Sequence, residues 1–267
     1  MVRSNLFPNF NQSAWASLVA ILGIVIVGWL QTPQLNQLKK TANHSSAEVL
    51  QQEIESEELR LNLLEKTPVF GFDNLVADWV FLDFLEYFGD DLARQVTGYQ
   101  LSPEYFEVIL DHDPRFLQAY LFLSTSSSLY AGLPEKSVAL MEKGLKSLSP
   151  QVPAKSYYIW RYKGVDELLF LGNAQAARQS FKQAAEWAST YSDTESEQVA
   201  LLSSQTAEFL AKNPDSKQAQ VSAWTMVLNN AADDRTRGIA INRIEALGGK
   251  VLVTPEGAVQ IQLPQSD

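Results

Sequence analysis

At 267 residues, with 46% hydrophobic and 19% charged positions, the chain has a folding composition and room for one sizeable domain or two small ones. Its 21 basic against 31 acidic residues leave a formal charge of −10, and no basic run exceeds Lys39-Lys40, which excludes nucleic acid as a partner. The absence of cysteine excludes disulfides, thiolate metal sites and cysteine nucleophiles.

Residues 1–12 read as a short tail. "SAWASLVAILGIVIVGWL" (Ser13–Leu30) then runs for eighteen residues without a charge. At about 1.5 Å per residue it spans roughly 27 Å, close to the hydrocarbon core of a bilayer. Trp15 and Trp29 stand near its ends, where indoles favour the membrane interface. Trp29-Leu30-Gln31 lacks the small-x-small pattern of a cleaved signal peptide, so residues 13–31 are expected to anchor the chain in the lipid bilayer. Arg3 on one side and Lys39-Lys40 on the other nearly cancel in a positive-inside count, which leaves the side of the soluble domain open.

Residues 32–46 are polar, include Pro33, and are expected as a linker. Ser45 and Glu48 match a capping box opening a helix with Leu50, Ile54, Leu61 and Leu64 along one face, ending before Pro68. Its acidic face, Glu53, Glu55, Glu57 and Glu58, reads as a solvated surface. A short coiled coil is the alternative.

A second helix is expected through "ADWVFLDFLEYFGDD" (Ala77–Asp91), with Phe72, Leu75, Val76, Trp79, Val80, Leu82, Phe84, Leu85 and Phe88 at helical spacing. Asp73 is the expected cap and Gly89 the expected end. Asp78, Asp83 and Glu86 exclude a lipid-spanning helix, since an aspartate at the bilayer centre costs roughly 2.5–3.5 kcal/mol. A helix apolar around most of its girth must be enclosed on more than one side, so a core helix is expected. Asp83 and Glu86 share a helix face as paired catalytic acids do, but they equally fill the helix's only polar strip.

The two histidines offer little chemistry. His44 lies in the linker; His112 sits in "DHDP", where a metal site competes with a helix start capped by Asp113. Walker-type and Rossmann-type glycine loops, HExxH and the nucleophile elbow are missing from the sequence. No catalytic, cofactor-binding or metal-binding residue is assigned, and the chain is not expected to be an enzyme.

The middle of the chain contains an internal echo. "LYAGLPEKSVALMEKGL" (Leu129–Leu145) aligns with "LFLGNAQAARQSFKQAA" (Leu169–Ala185), bringing Gly132 onto Gly172, Ser137 onto Ala177, Met141 onto Phe181 and Gly144 onto Ala184. Each unit reads as the end of one helix, a glycine turn and a second helix. Small residues let helices approach, and one large residue fills the groove between them. The order of glycine, small, large and small at Gly172, Ala177, Phe181 and Ala184 resembles the tetratricopeptide repeat. Asp113-Pro114 and Ser149-Pro150 resemble the proline that closes one repeat and opens the next. The spacing here is 40 residues rather than about 34, and the first helices lack the repeat's tryptophan and glycine–tyrosine pattern. "SPEYFEVILDHDP" before and "AEFLAKNPDSKQAQVSAWTMVL" after look like degenerate flanking units.

The wider arrangement, including "FGFDNLVADWVFLDFLEYFGDD", "SYYIWRYKGVDELLFLG" and "DDRTRGIAINRIEALGG", resembles a family of single-pass, repeat-containing membrane proteins widespread in cyanobacteria. The likeness covers nearly everything after about residue 65. It implies a setting, the thylakoid or plasma membrane of a photosynthetic cell, and no catalytic residues.

Arrays of helical hairpins present a groove that binds a segment of another protein. The first helices expected to face it, "RFLQAYLF" and "YYIWRYK", offer Arg115, Tyr120, Tyr157, Trp160 and Arg161 as partner-binding candidates. After Gly248-Gly249, "KVLVTPEGAVQIQLPQ" reads as a β-hairpin turning at Thr254–Gly257, which must pack on the helices or pair with another chain.

The expected architecture is therefore all-α: an N-terminal transmembrane helix, a tetratricopeptide-like helical-hairpin solenoid over residues 47–248, and a β-hairpin tail over 249–267. The expected function is a non-catalytic, membrane-anchored scaffold binding one or more proteins, serving by resemblance the assembly or maintenance of a photosynthetic complex. A permanent accessory subunit of a membrane complex, and an enzyme using Asp83 and Glu86, are the alternatives.

Overall fold

Side-chain caps open most helices of the second half of the chain. Asn173, Asp193, Ser216 and Asp233 each accept a hydrogen bond from the backbone N–H three residues on, at 2.7–3.1 Å. A computed structural model describes residues 47–231, 233–253 and 259–265. Among these it contains eleven α-helices and one two-stranded antiparallel sheet. The helices are α1 (Ala47–Lys66), α2 (Asp73–Gly89), α3 (Asp91–Thr97), α4 (Ser102–His112), α5 (Leu117–Leu123), α6 (Pro134–Leu145), α7 (Tyr157–Leu169), α8 (Ala174–Ala188), α9 (Thr194–Lys212), α10 (Lys217–Asn229) and α11 (Asp234–Ala246). A π-helical segment, Ser124–Tyr130, continues α5, and β1 (Lys250–Val253) pairs with β2 (Val259–Gln262) in the register Val251↔Ile261.

The expected anchor at residues 13–31, Trp15, Trp29, the linker and the Ser45 cap lie outside the described residues, as does the expected turn at 254–257. Among the described residues no helix is long and apolar enough to cross a membrane. The chain divides into a unit ending at Gln52, of which only the opening of α1 is described, and a unit from Glu53 onward.

The largest core of this second unit joins α1, α2, α4, α5, α6 and α7 around Phe84, Phe106, Ile109, Tyr120, Leu123, Met141 and Ile159, all fully buried. Another core joins α7, α8, α9 and α10 around Phe181, Leu210 and Ala223. The hairpin seats Val251 and Ile261 against α10 and α11, and Gln218 Nε2 donates to the Pro264 carbonyl at 3.1 Å. The sheet therefore packs on the helices.

The echoed residues occupy matching places. Gly132 and Gly172 each follow a helix with φ of +70° and +63°, a left-handed conformation that costs other residues a Cβ clash. Ser137, Gly144, Ala177 and Ala184 are all buried, and so are Met141 and Phe181. Gly144 lies under Tyr120, and Gly164 lies under the Phe181 ring.

Three local expectations are corrected. Phe72, not Asp73, takes the N-cap place of α2, without a side-chain bond; the Asp73 carboxylate instead meets His112 Nδ1 at 3.3 Å. Asp113 does not cap α5: its Oδ1 accepts from the backbone N–H of Arg115 at 2.9 Å, an aspartate turn between α4 and α5. Glu57 leaves the solvated acidic face. It accepts bonds from Arg60 at 2.5 and 2.9 Å and from the Tyr105 hydroxyl at 2.7 Å.

Candidate partner-docking face

Helix α2 carries two apolar faces, and only one is covered by the described residues. Ala77, Val80, Phe81, Phe84 and Tyr87 face the core, with the Phe84 and Phe106 rings 4.5 Å apart. On the other side Leu75 is 63% exposed, Trp79 64% and Leu82 65%, with Phe72 at the helix start exposed to a similar degree. Spacings of three and four residues put Phe72, Leu75, Trp79 and Leu82 in one stripe. This corrects the expectation of a helix enclosed on more than one side. Its apolar girth signals a second surface, not a deeper core. Exposed apolar pairs also occur one helical turn apart on α1 (Leu59, Leu63) and on α3 (Leu92, Val96).

Of the acids around the stripe, Asp83 is tied to α1. Asp83 accepts from Arg60 Nη2 at 2.7 Å, and the same guanidinium holds Glu57. Burial pulls the Glu57 carboxyl upward, but the bonds from Arg60 and Tyr105 outweigh it and hold it below the usual glutamate range. Asp83 is thus committed to an ion pair, while Asp78 and Glu86 stand exposed beside the stripe.

The five expected partner-binding residues do not share one groove. Tyr120 and Tyr157 are fully buried and offer no surface: the Tyr120 hydroxyl donates to the Pro114 carbonyl at 2.7 Å, and Tyr157 bonds Ser196 at 3.0 Å. Trp160 is half-buried, edge-on to Trp187 at 5.8 Å. Arg115 is exposed in the α4–α5 connection. Arg161 lies in a pocket between α7, α8, α9, α10 and the hairpin.

A buried polar centre lies where periodicity gives no sign of one. Asp166, in the last turn of α7, has no exposed surface and accepts from Ser124 and Ser128 of the π-helical segment at 2.6 Å each and from Ser137 of α6 at 2.7 Å. Burial pushes its carboxyl up to about 7, against the pull of the three hydroxyls. Next to it, buried Lys163 and Glu167 form an ion pair, with Ser180 Oγ donating to Glu167 at 2.6 Å. The signals that could have found it are "STSSS" on one helix and "DE" inside the apolar run Val165–Leu169. The cavity beside Ser124 holds about 20 Å³, space for roughly one water. The three serines and Asp166 join three segments, the π-helical segment, α6 and α7.

No family model, no curated protein and no solved structure matches the chain.

Proposed function

We propose that the chain is a non-catalytic helical-hairpin scaffold, tetratricopeptide-like in design and tethered at the membrane, that docks a partner protein on the outer face of α2. The observation that carries this reading is the uncovered stripe Phe72, Leu75, Trp79 and Leu82 on a helix whose opposite face is core. Contiguous exposed apolar surface of this kind marks an interaction site, and each such side chain contributes about 1.5–3 kcal/mol when fully buried.

The charge around the stripe selects the occupant. Exposed Asp78 and Glu86 border it, and the whole chain is acidic. A helix that lies on lipid places lysine and arginine beside its apolar face, because anionic headgroups attract them. Here the sign is opposite. The same repulsion disfavours a second copy of this acidic chain. The complementary occupant is an apolar-faced helix of a membrane protein with basic residues at its flank. The uncharged segment Ser13–Leu30 ends 42 residues before Phe72, so a membrane protein is within reach of the tethered domain. The resemblance to the cyanobacterial repeat family adds the expectation that this partner belongs to a photosynthetic complex.

The test is photocrosslinking in native membranes from the full chain carrying a benzophenone amino acid at position 75, 79 or 82, with position 186 on α8 as control. The expected result is one crosslinked polypeptide from all three α2 positions and none from the control. Its crosslinked peptide should sequence to an apolar segment flanked by lysine or arginine. Crosslinks to lipid alone, to a second copy of this chain, or equally from the control would overturn the reading.

A further inference from the structure

The pocket around Arg161 is independent of the α2 face. It holds about 230 Å³ between α7, α8, α9, α10 and the end of β2. Its walls are mixed, with an apolar part from Phe181, Phe209, Met226 and Leu263 and the side-chain amides of Gln205 and Asn229, and its lining contains no carboxylate. Arg161 makes no ion pair among the described residues. Its guanidinium is stacked 5.8 Å from the Tyr158 ring, and its buried Nε has no hydrogen-bond partner. Burial lowers its pKa from the ordinary arginine value, and only the neighbouring tyrosines oppose this. Arg161 is half-buried, and a charge partly withdrawn from water without a counter-charge is costly, so proteins pair such groups or leave them for a ligand.

A second orphan lies in the same wall. Ser203 is 1% exposed, and its Oγ has no partner. The neighbouring hydroxyls of Thr206, Ser222 and Thr225 all donate to carbonyls four residues back in their own helices, at 2.7–2.9 Å. Ser203 is therefore the hydroxyl on this wall with its proton unspent. One cation, one free O–H donor and a part-apolar wall match a monoanion; a phosphate dianion needs more positive charge.

We propose that this pocket binds a carboxylate carried on a short apolar stem, with Arg161 as its counter-charge and the Ser203 hydroxyl as a donor. The stem packs against Phe181, Phe209, Met226 and Leu263. The last of these follows β2, so the hairpin forms part of the site and does more than cover α10 and α11. The carboxylate has two sources, a small free acid or the carboxyl terminus of a peptide ending in an apolar residue.

Calorimetric titration of the full chain in a non-ionic detergent tests this with phenylacetate against phenylacetamide, and with a short leucine-terminated peptide carrying a free or an amidated end. At least one acid should bind, with its amide weaker by roughly tenfold or more, since a charge-assisted bond contributes about 1.5–3 kcal/mol. Which acid binds identifies the source. Arg161→Leu should abolish that binding with the fold intact. Ser203→Ala should weaken binding several-fold with the fold intact. Absence of binding by both acids, equal binding of acid and amide, or binding unchanged in both variants would overturn the proposal.

Discussion

The phenol oxygen of Tyr120 occupies the space that a Cβ on Gly144 would take. The ring cannot swing away, because Tyr120 is fully buried and its hydroxyl is bonded to the Pro114 carbonyl. Gly144→Ala gains about 1 kcal/mol of helix propensity. It then meets an overpacking cost of roughly 1–3 kcal/mol, so the chain should be up to about 2 kcal/mol less stable. Tyr120→Phe removes the nearest atom, so the double variant should lose less than the sum of the singles in denaturant unfolding. At Gly164 the nearest Phe181 atoms stand 3.1–3.2 Å from the added Cβ, so Gly164→Ala should be milder. Equal losses at the two glycines would contradict this account.

The two faces of α2 should respond to substitution in opposite ways. Phe84 is fully buried among Phe81, Phe88, Tyr105 and Phe106, and Phe84→Ala should cost about 3–5 kcal/mol. Trp79→Gln and Leu82→Gln lie on the uncovered face and should change stability by no more than about 0.5 kcal/mol, while lowering crosslinking to the partner. Chemical denaturation of the three variants measures the contrast. A large loss at Trp79 would mean that the stripe is covered within the chain.

Much of this is legible in periodicity. The 3.6-residue pattern marks α1, α2 and the glycine turns, and small residues at Ser137, Gly144, Ala177 and Ala184 point to close helix approach, which their burial bears out. Periodicity says which residues are apolar, but not how many neighbours a helix has. It therefore assigns the outer face of α2 to the core, wrongly. The same ambiguity makes Tyr120 and Tyr157 candidates for a groove, though both are sealed inside. Asp166 is hidden for a different reason: its three serine partners lie 29 to 42 residues away, and no local pattern couples them to it.

Asp166 should make stability fall as pH rises. Its carboxyl titrates near 3.8 when unfolded and near 7 in its buried site, so between those values the folded state binds more protons than the unfolded one. Its contribution is fully present below about pH 4 and is lost as pH climbs through about 7, on the order of 4 kcal/mol at most. Glu167 adds to the upward push on Asp166, while the hydroxyls of Ser124, Ser128 and Ser137 oppose it. Asp166→Asn should flatten this part of the profile when urea midpoints are compared at pH 4.5 and 7.5. Glu57 works in the opposite sense. Its lowered pKa gives stability that is present above the ordinary glutamate range and lost on acidification, so the wild-type profile should also fall on the acid side. A wild-type and an Asp166→Asn curve of the same shape would remove Asp166 from the account.

Lys163 and Glu167 test whether the buried ion pair stabilises the fold or only has to stay complete. Both are less than a tenth exposed, with Ser180 donating to Glu167 and the exposed Glu142 carboxylate 3.2 Å from Lys163 Nζ. Lys163→Met alone leaves Glu167 buried with only a serine, and should cost about 3–5 kcal/mol. Removing the whole polar group in Lys163→Met/Glu167→Met/Ser180→Ala takes away both the attraction and the desolvation of two ions. Replacement of a buried pair by packed apolar side chains is often neutral or stabilising. The triple variant should therefore recover most of what the single one loses, since Glu142 returns to water without penalty. Thermal unfolding of both variants beside wild type reads this out. A triple variant no more stable than Lys163→Met would show that the pair itself, rather than its completeness, holds α7 against α8.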